Sequence, residues 1–128
     1  MSLLGNLASM FSLSGPGVRR VQPAEAAQLV RDKKAMLVDV REPDEWTEGV
    51  AEPAELLPMS DLLGPRKQWK PFLAQVGERE IILYCRSGSR SGHVARILAA
   101  EGFKTANAGS VDAWQNAGLP MGRPKSRR

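Results

Sequence analysis

Residues 81–102 constrain the fold more than any other stretch of the chain. Ile81-Ile82-Leu83-Tyr84 is an unbroken apolar run, short and continuous rather than alternating. Such a run reads as a strand buried on both faces. It ends in Cys85, the one cysteine among 128 residues, and passes into a polar loop, Cys85-Arg86-Ser87-Gly88-Ser89-Arg90. Ser91 to Glu101 then has a helical composition, and Gly102 is a natural stop. A strand ending in cysteine, a tight loop and a helix can aim loop N–H groups and a helix N-terminus at one sulfur. The expected result is a stabilised thiolate, and hence a nucleophile.

The rest of the chain repeats the alternation of strand and helix. Ser14-Gly15-Pro16-Gly17 breaks the chain before a short strand at Val18–Val21. Pro23 suits the first position of a helix that continues through Ala27, Leu29 and Val30. Met36–Val40 reads as a second buried strand, Pro43–Glu48 as an acidic helical turn, and Glu55–Leu57 as a short strand. Ser60 or Asp61 is expected to cap a short helix, Lys67–Val76 is helical in pattern, and Phe103–Ala106 is a further strand. Val111–Ala117 is expected to be the final helix, ended by Gly118. This order predicts an α/β domain with a mostly parallel sheet covered on both faces. Ligands of such sheets sit beyond the carboxyl ends of strands. Cys85 lies at one such end and Asp39-Val40-Arg41-Glu42 at another.

Composition narrows the chemistry. The length fits one domain. A single cysteine excludes an internal disulfide, a CxxC pair and a cysteine-rich zinc site. One histidine, His93, argues against a metal cluster, and no cofactor is implied. A reduced, cytoplasmic setting is the default reading. The net charge of +4 comes entirely from Arg123, Lys125, Arg127 and Arg128. Residues 123–128 therefore form a basic tail on a near-neutral domain, with no footprint for nucleic acid. Residues 1–17 form an apolar extension in which Leu3, Leu4, Leu7, Met10 and Phe11 fall at helical spacing. It is too short and broken to span a bilayer and has no basic signal-peptide start, so no integral membrane segment is expected.

Three blocks together resemble the single-domain rhodanese-like sulfurtransferases. They are Asp39-Val40-Arg41-Glu42-Pro43-Asp44-Glu45-Trp46, then Cys85 to Ser91, then Gly109-Ser110-Val111-Asp112-Ala113-Trp114 continuing to Pro120. They follow in that family's order across residues 18–122. The resemblance implies a small five-stranded parallel sheet with helices on both faces. It also implies that Cys85 takes a sulfane sulfur from a donor such as thiosulfate, forms a persulfide, and passes the sulfur to cyanide, a thiol or a protein acceptor. Where the family commonly has Gly-His-Ile-Pro-Gly-Ala, this chain has Gly49-Val50-Ala51-Glu52-Pro53-Ala54. Val50 replaces the usual histidine and Ala54 the second glycine.

Loop length separates this family from its relatives. Related phosphatases and arsenate reductases carry a Cys-x5-Arg signature, because a tetrahedral oxyanion needs a wider cradle. Here Arg90 stands at Cys-x4-Arg, which favours sulfur over phosphoryl transfer. A non-enzymatic sulfur carrier or interaction module remains an alternative. Arg86 and Arg90 are candidates for anion contact, with Ser87, Gly88 and Ser89 supplying loop N–H groups. Asp39 and Arg41 stand beside the site either as a structural ion pair or in contact with substrate. Glu42, Asp44, Glu45 and Glu48 read as a solvated acidic face, Trp46, Trp69 and Trp114 as packing residues, and His93 as an ordinary helix residue.

Overall fold

The structure, a computed structural model, describes residues 18–124. Residues 1–17, where the apolar extension is expected, and 125–128 of the basic tail lie outside the described residues. The element order is β1 (Arg19–Arg20), α1 (Pro23–Arg31), β2 (Ala35–Asp39), α2 (Pro43–Trp46), β3 (Val50–Ala51), β4 (Glu55–Leu56), α3 (Met59–Leu62), α4 (Trp69–Gln75), β5 (Glu80–Cys85), α5 (Ser89–Ala100), β6 (Thr105–Ser110), α6 (Val111–Asn116) and β7 (Met121–Gly122).

Five strands form one sheet in the order β1-β6-β5-β2-β4, and every pairing in it is parallel. The central strand is β5, whose Ile81, Ile82 and Leu83 have no accessible surface. Side chains of a strand alternate between faces. Ile82 and Tyr84, with Leu37 of β2, therefore pack on one side against Ala26 and Ala27 of α1 and Val111 and Trp114 of α6. Ile81, Leu83 and Cys85, with Val38 and Val40, pack on the other side against Leu62 of α3, Trp69 of α4 and Val94, Ala95 and Leu98 of α5. This two-sided burial is why the strands are continuous apolar runs. Truncating Leu83 to alanine in such a layer costs about 2–5 kcal/mol.

Several boundaries differ from expectation for physical reasons. Helix α5 begins at Ser89 rather than Ser91, because Gly88 (φ 97°) turns left-handed and starts the helix early. Strand β6 runs Thr105–Ser110 rather than Phe103–Ala106. Its Ala-Asn-Ala-Gly-Ser sequence has weak strand propensity, and pairing with β5 and β1 on either side supplies the order. Asp61 lies inside α3 and instead caps the start of the next helix. Its carboxylate accepts the N–H groups of Lys67, Gln68 and Trp69 at 2.9–3.0 Å. The two-residue strands β3 and β7 pair antiparallel, Val50 with Gly122 and Ala51 with Met121. Strand β3 lies in the connection where this sequence departs from the family pattern, and β7 pairs with it from the far end of the domain.

Candidate active site

Cys85 ends β5 with its sulfur under the first turn of α5. The N–H of Gly88 donates to Sγ at 3.0 Å and the N–H of Ser91 at 3.4 Å. The bend that brings these donors round needs glycine. A Cβ on Gly88 would stand 3.2 Å from Cα of Gly109, at a backbone φ of +97°. The Ser91 hydroxyl lies 3.5 Å from Sγ and 2.8 Å from Oδ1 of Asn107 on β6. Burial pushes the thiol up, but the N–H groups of Ser91, Ser87 and Gly88, joined by the Ser91 hydroxyl whenever its proton turns to the sulfur, pull harder. The net shift is downward from the ordinary thiol value. A charged sulfur here is held by oriented dipoles, and among the described residues only Gly88 and Ser91 stand in hydrogen-bond contact with it.

The loop arginines are not free. Arg90, in the first turn of α5, makes a bidentate pair with Glu45 of α2 at 2.7 and 2.9 Å. Arg86 is exposed and reaches Glu45 at 3.3 Å and Glu48 at 2.9 Å. Glu45 also accepts the Glu42 N–H at 3.0 Å. The Arg90 guanidinium, helped by that N–H and by Arg86 against the opposing effect of burial, holds the Glu45 carboxyl at about 2, well below the usual carboxylate range. Glu45 is therefore not part of a solvated acidic face. It is the clamp that ties α2 to the cysteine loop. Glu42 is likewise engaged, accepting the N–H and hydroxyl of Ser60 at 3.1 and 2.6 Å. Ser87 and Ser89 are exposed on the loop, and the Ser87 hydroxyl accepts the Ser89 N–H at 3.4 Å.

Asp39 and Arg41 form a separate cluster. Asp39 pairs in register with Tyr84, so its side chain shares the Tyr84 face of the sheet, opposite to Cys85. Its carboxylate accepts the Arg41 backbone N–H and guanidinium at 2.8–3.1 Å and the Trp46 indole N–H at 3.2 Å. Arg41 then donates to the carbonyls of Glu45 and Gly49. Both side chains are buried, so this is a structural ion pair that fixes the β2–α2–β3 connection. The three tryptophans are buried, and each indole N–H is satisfied: Trp46 by Asp39, Trp69 by the Pro58 carbonyl and Trp114 by the Pro120 carbonyl. His93 is exposed on α5.

Sequence reasoning missed Glu45, Ser91 and Asn107 as members of the site. The spacing Glu42-x-x-Glu45 around Pro43 is a capping-box pattern that could have flagged Glu45. Asn107 stands out only as a lone amide between two alanines that are both buried.

Residues 22–117 match the model of the rhodanese-like domain. The chain is 36% identical over 80 residues to a putative mitochondrial thiosulfate sulfurtransferase of Schizosaccharomyces pombe, covering 57% of this chain and 56% of that protein, about half its length. It is 32% identical over 111 residues to a sulfurtransferase of Allochromatium vinosum, covering 84% of this chain and 98% of that one. A crystal structure of a rhodanese-related protein from Thermoplasma volcanium superposes with a TM-score of 0.67 at 25% identity, covering 81% of this chain and 97% of that one. With the all-parallel five-stranded sheet and a cysteine loop at the carboxyl end of its central strand, these matches establish that the chain belongs to the rhodanese-like domain family.

Proposed function

We propose that this protein is a sulfurtransferase that carries sulfane sulfur as a persulfide on Cys85. The observation that carries the reading is the convergence of the Gly88 and Ser91 N–H groups on Sγ from a six-residue loop. Thiosulfate fits as donor. The Cys85 thiolate attacks the outer sulfur of thiosulfate, the S–S bond to the sulfonyl sulfur breaks, and the electron pair leaves with sulfite. Cys85 then bears the outer sulfur as a persulfide anion. A cyanide or thiolate acceptor attacks that outer sulfur, and the electron pair returns to Cys85. Charge and electrons balance in both halves without a cofactor, and the names of the relatives are consistent with such chemistry.

Cys85 has no accessible surface in this state. A donor therefore needs some opening around the loop from Cys85 to Arg90 to reach the sulfur. Arg86 is suited to meet an incoming anion, because its pairs with Glu45 and Glu48 lie at the surface and are screened. Arg90 holds the loop through Glu45. A reducing, cytoplasmic compartment suits the free thiol. The test is a side-by-side turnover assay with thiosulfate plus cyanide and with an aryl phosphate. Thiocyanate formation with no phosphate release is the expected outcome. Efficient phosphate release that disappears in Cys85→Ser would assign the site to phosphoryl transfer. A persulfide that forms but discharges only to a protein partner would favour a carrier role.

A further inference from the structure

The Ser91 hydroxyl stands between two acceptors and has one proton to give. Oδ1 of Asn107 is 2.8 Å away, an ordinary O–H···O distance, whereas Sγ of Cys85 is 3.5 Å away. The amide orientation of Asn107 is fixed independently of Ser91. Its Nδ2 donates to the Gly88 carbonyl at 3.0 Å, and its Oδ1 accepts the Gly109 N–H at 2.9 Å. Flipping the amide would break both bonds and set donor against donor at Gly109. The backbone supports this arrangement. Leu83 pairs with Asn107 and Tyr84 with Gly109, so Ala108 is the extra residue of a β-bulge, and the Gly109 N–H closes an Asx turn onto Asn107.

We propose that Asn107 is a positioning residue that holds the single hydroxyl proton of Ser91 away from Cys85. With the proton on Asn107, the Ser91 oxygen presents a lone pair to the sulfur. A thiol can then donate to Ser91, giving a chain from Cys85 through Ser91 to Asn107. A thiolate has no such use for that lone pair, and it gains the hydroxyl as a donor only if Ser91 abandons Asn107. Asn107 thus favours states in which Sγ itself is uncharged. These are the thiol and, if Cys85 carries sulfur as proposed above, a persulfide whose charge sits on the outer sulfur. The backbone donors of Gly88 and Ser91 remain in place in every state.

The charged groups around the sulfur leave this competition to the amide. Arg90 of α5 faces Cys85 but is clamped by Glu45 of α2, and Arg86 of the loop is paired with Glu45 and Glu48. Asp39 of β2 is closed by Arg41 on the opposite face, Asp61 of α3 is spent on the start of α4, and β6 carries no charged residue.

The test is a double-mutant cycle read by the ultraviolet absorbance of the Cys85 thiolate against pH, with Cys85→Ser as the blank. It needs no sulfur transfer, so its outcome is separable from the activity assigned to the site. Asn107→Leu frees the Ser91 proton for the thiolate. The titration midpoint should fall by on the order of one pH unit, the worth of a charge-assisted hydrogen bond. In the Ser91→Ala background the same substitution should move the midpoint little. A midpoint that rises or stays put in Asn107→Leu would overturn the proposal, because a mere scaffold for Gly88 predicts a looser cradle and a rise. A fall that persists undiminished in Ser91→Ala would overturn it as well. If Asn107→Leu does not fold, judged by near-ultraviolet circular dichroism, Asn107→Ala is held to the same expectations. Should neither fold, Asn107 is a structural residue and the proposal fails.

Discussion

Two adjacent strand ends of the same sheet meet opposite fates. At the end of β2, Asp39 and Arg41 saturate one another, and every remaining polar bond of the pair goes to Trp46 or to a carbonyl. Nothing there is left for a ligand. At the end of β5, backbone donors converge on one sulfur that has no bonded counter-ion, because Arg90 is committed to Glu45. The first end is a closed, buried ion pair and holds the chain in place. On the proposed reading, the second changes its charge and its covalent partner against donors supplied by the backbone. Equivalent positions in a parallel sheet are therefore not equivalent sites, and what separates them is whether the polar groups are already paired.

The sharpest break in the comparison is Cys85→Ser. Sulfur transfer should drop to the uncatalysed background with the melting temperature little changed, since no other cysteine can substitute. Arg41→Leu should do the reverse. Leaving Asp39 buried and unpaired costs about 3–5 kcal/mol, measured by denaturant unfolding, while the thiolate titration of the folded protein moves little. Strong loss of sulfur transfer in a fully stable Arg41→Leu would move that arginine into the reacting site. Gly88→Ala forces a Cβ against Gly109 in a left-handed turn, at a cost of roughly 1–3 kcal/mol. It should also raise the Cys85 titration midpoint by displacing the 3.0 Å donor.

Glu45→Gln sharpens the comparison through acid stability. Because folding lowers the Glu45 carboxyl to about 2, its contribution is complete above the ordinary glutamate value. It is lost as pH falls from there through about 2. The variant should lose about 1 kcal/mol near neutrality and show a flatter decline in stability through that acid window. An unchanged acid profile would mean that the Arg90 clamp is not formed in solution. His93→Ala should have the smallest effect and keep most sulfur-transfer activity. Loss of a general base would cost ~100-fold or more, so a drop of that size would give the exposed histidine a catalytic task.

The parts of the fold legible in the sequence were those with their own local signal. Continuous apolar runs marked β2 and β5, Pro23 marked the start of α1, and Gly102 marked the end of α5. Strands β3 and β7, two residues each, carry no periodicity and exist only because they pair with each other. The cysteine loop was legible as a unit because its residues are contiguous. Glu45 was misread as solvated because its partners Arg86 and Arg90 lie 41 and 45 positions away. Asn107 was invisible for the same reason, since its proposed role depends on a bulge in β6 and on a serine of helix α5, sixteen positions away.

The most direct test of the central claim is the intact mass of the reduced protein after incubation with thiosulfate and removal of excess donor. The account predicts a gain of one sulfur atom, abolished by cyanide with release of thiocyanate and absent in Cys85→Ser. A protein that gains no sulfur, or a Cys85→Ser variant that gains it equally, would contradict the assignment of Cys85 as the sulfur carrier.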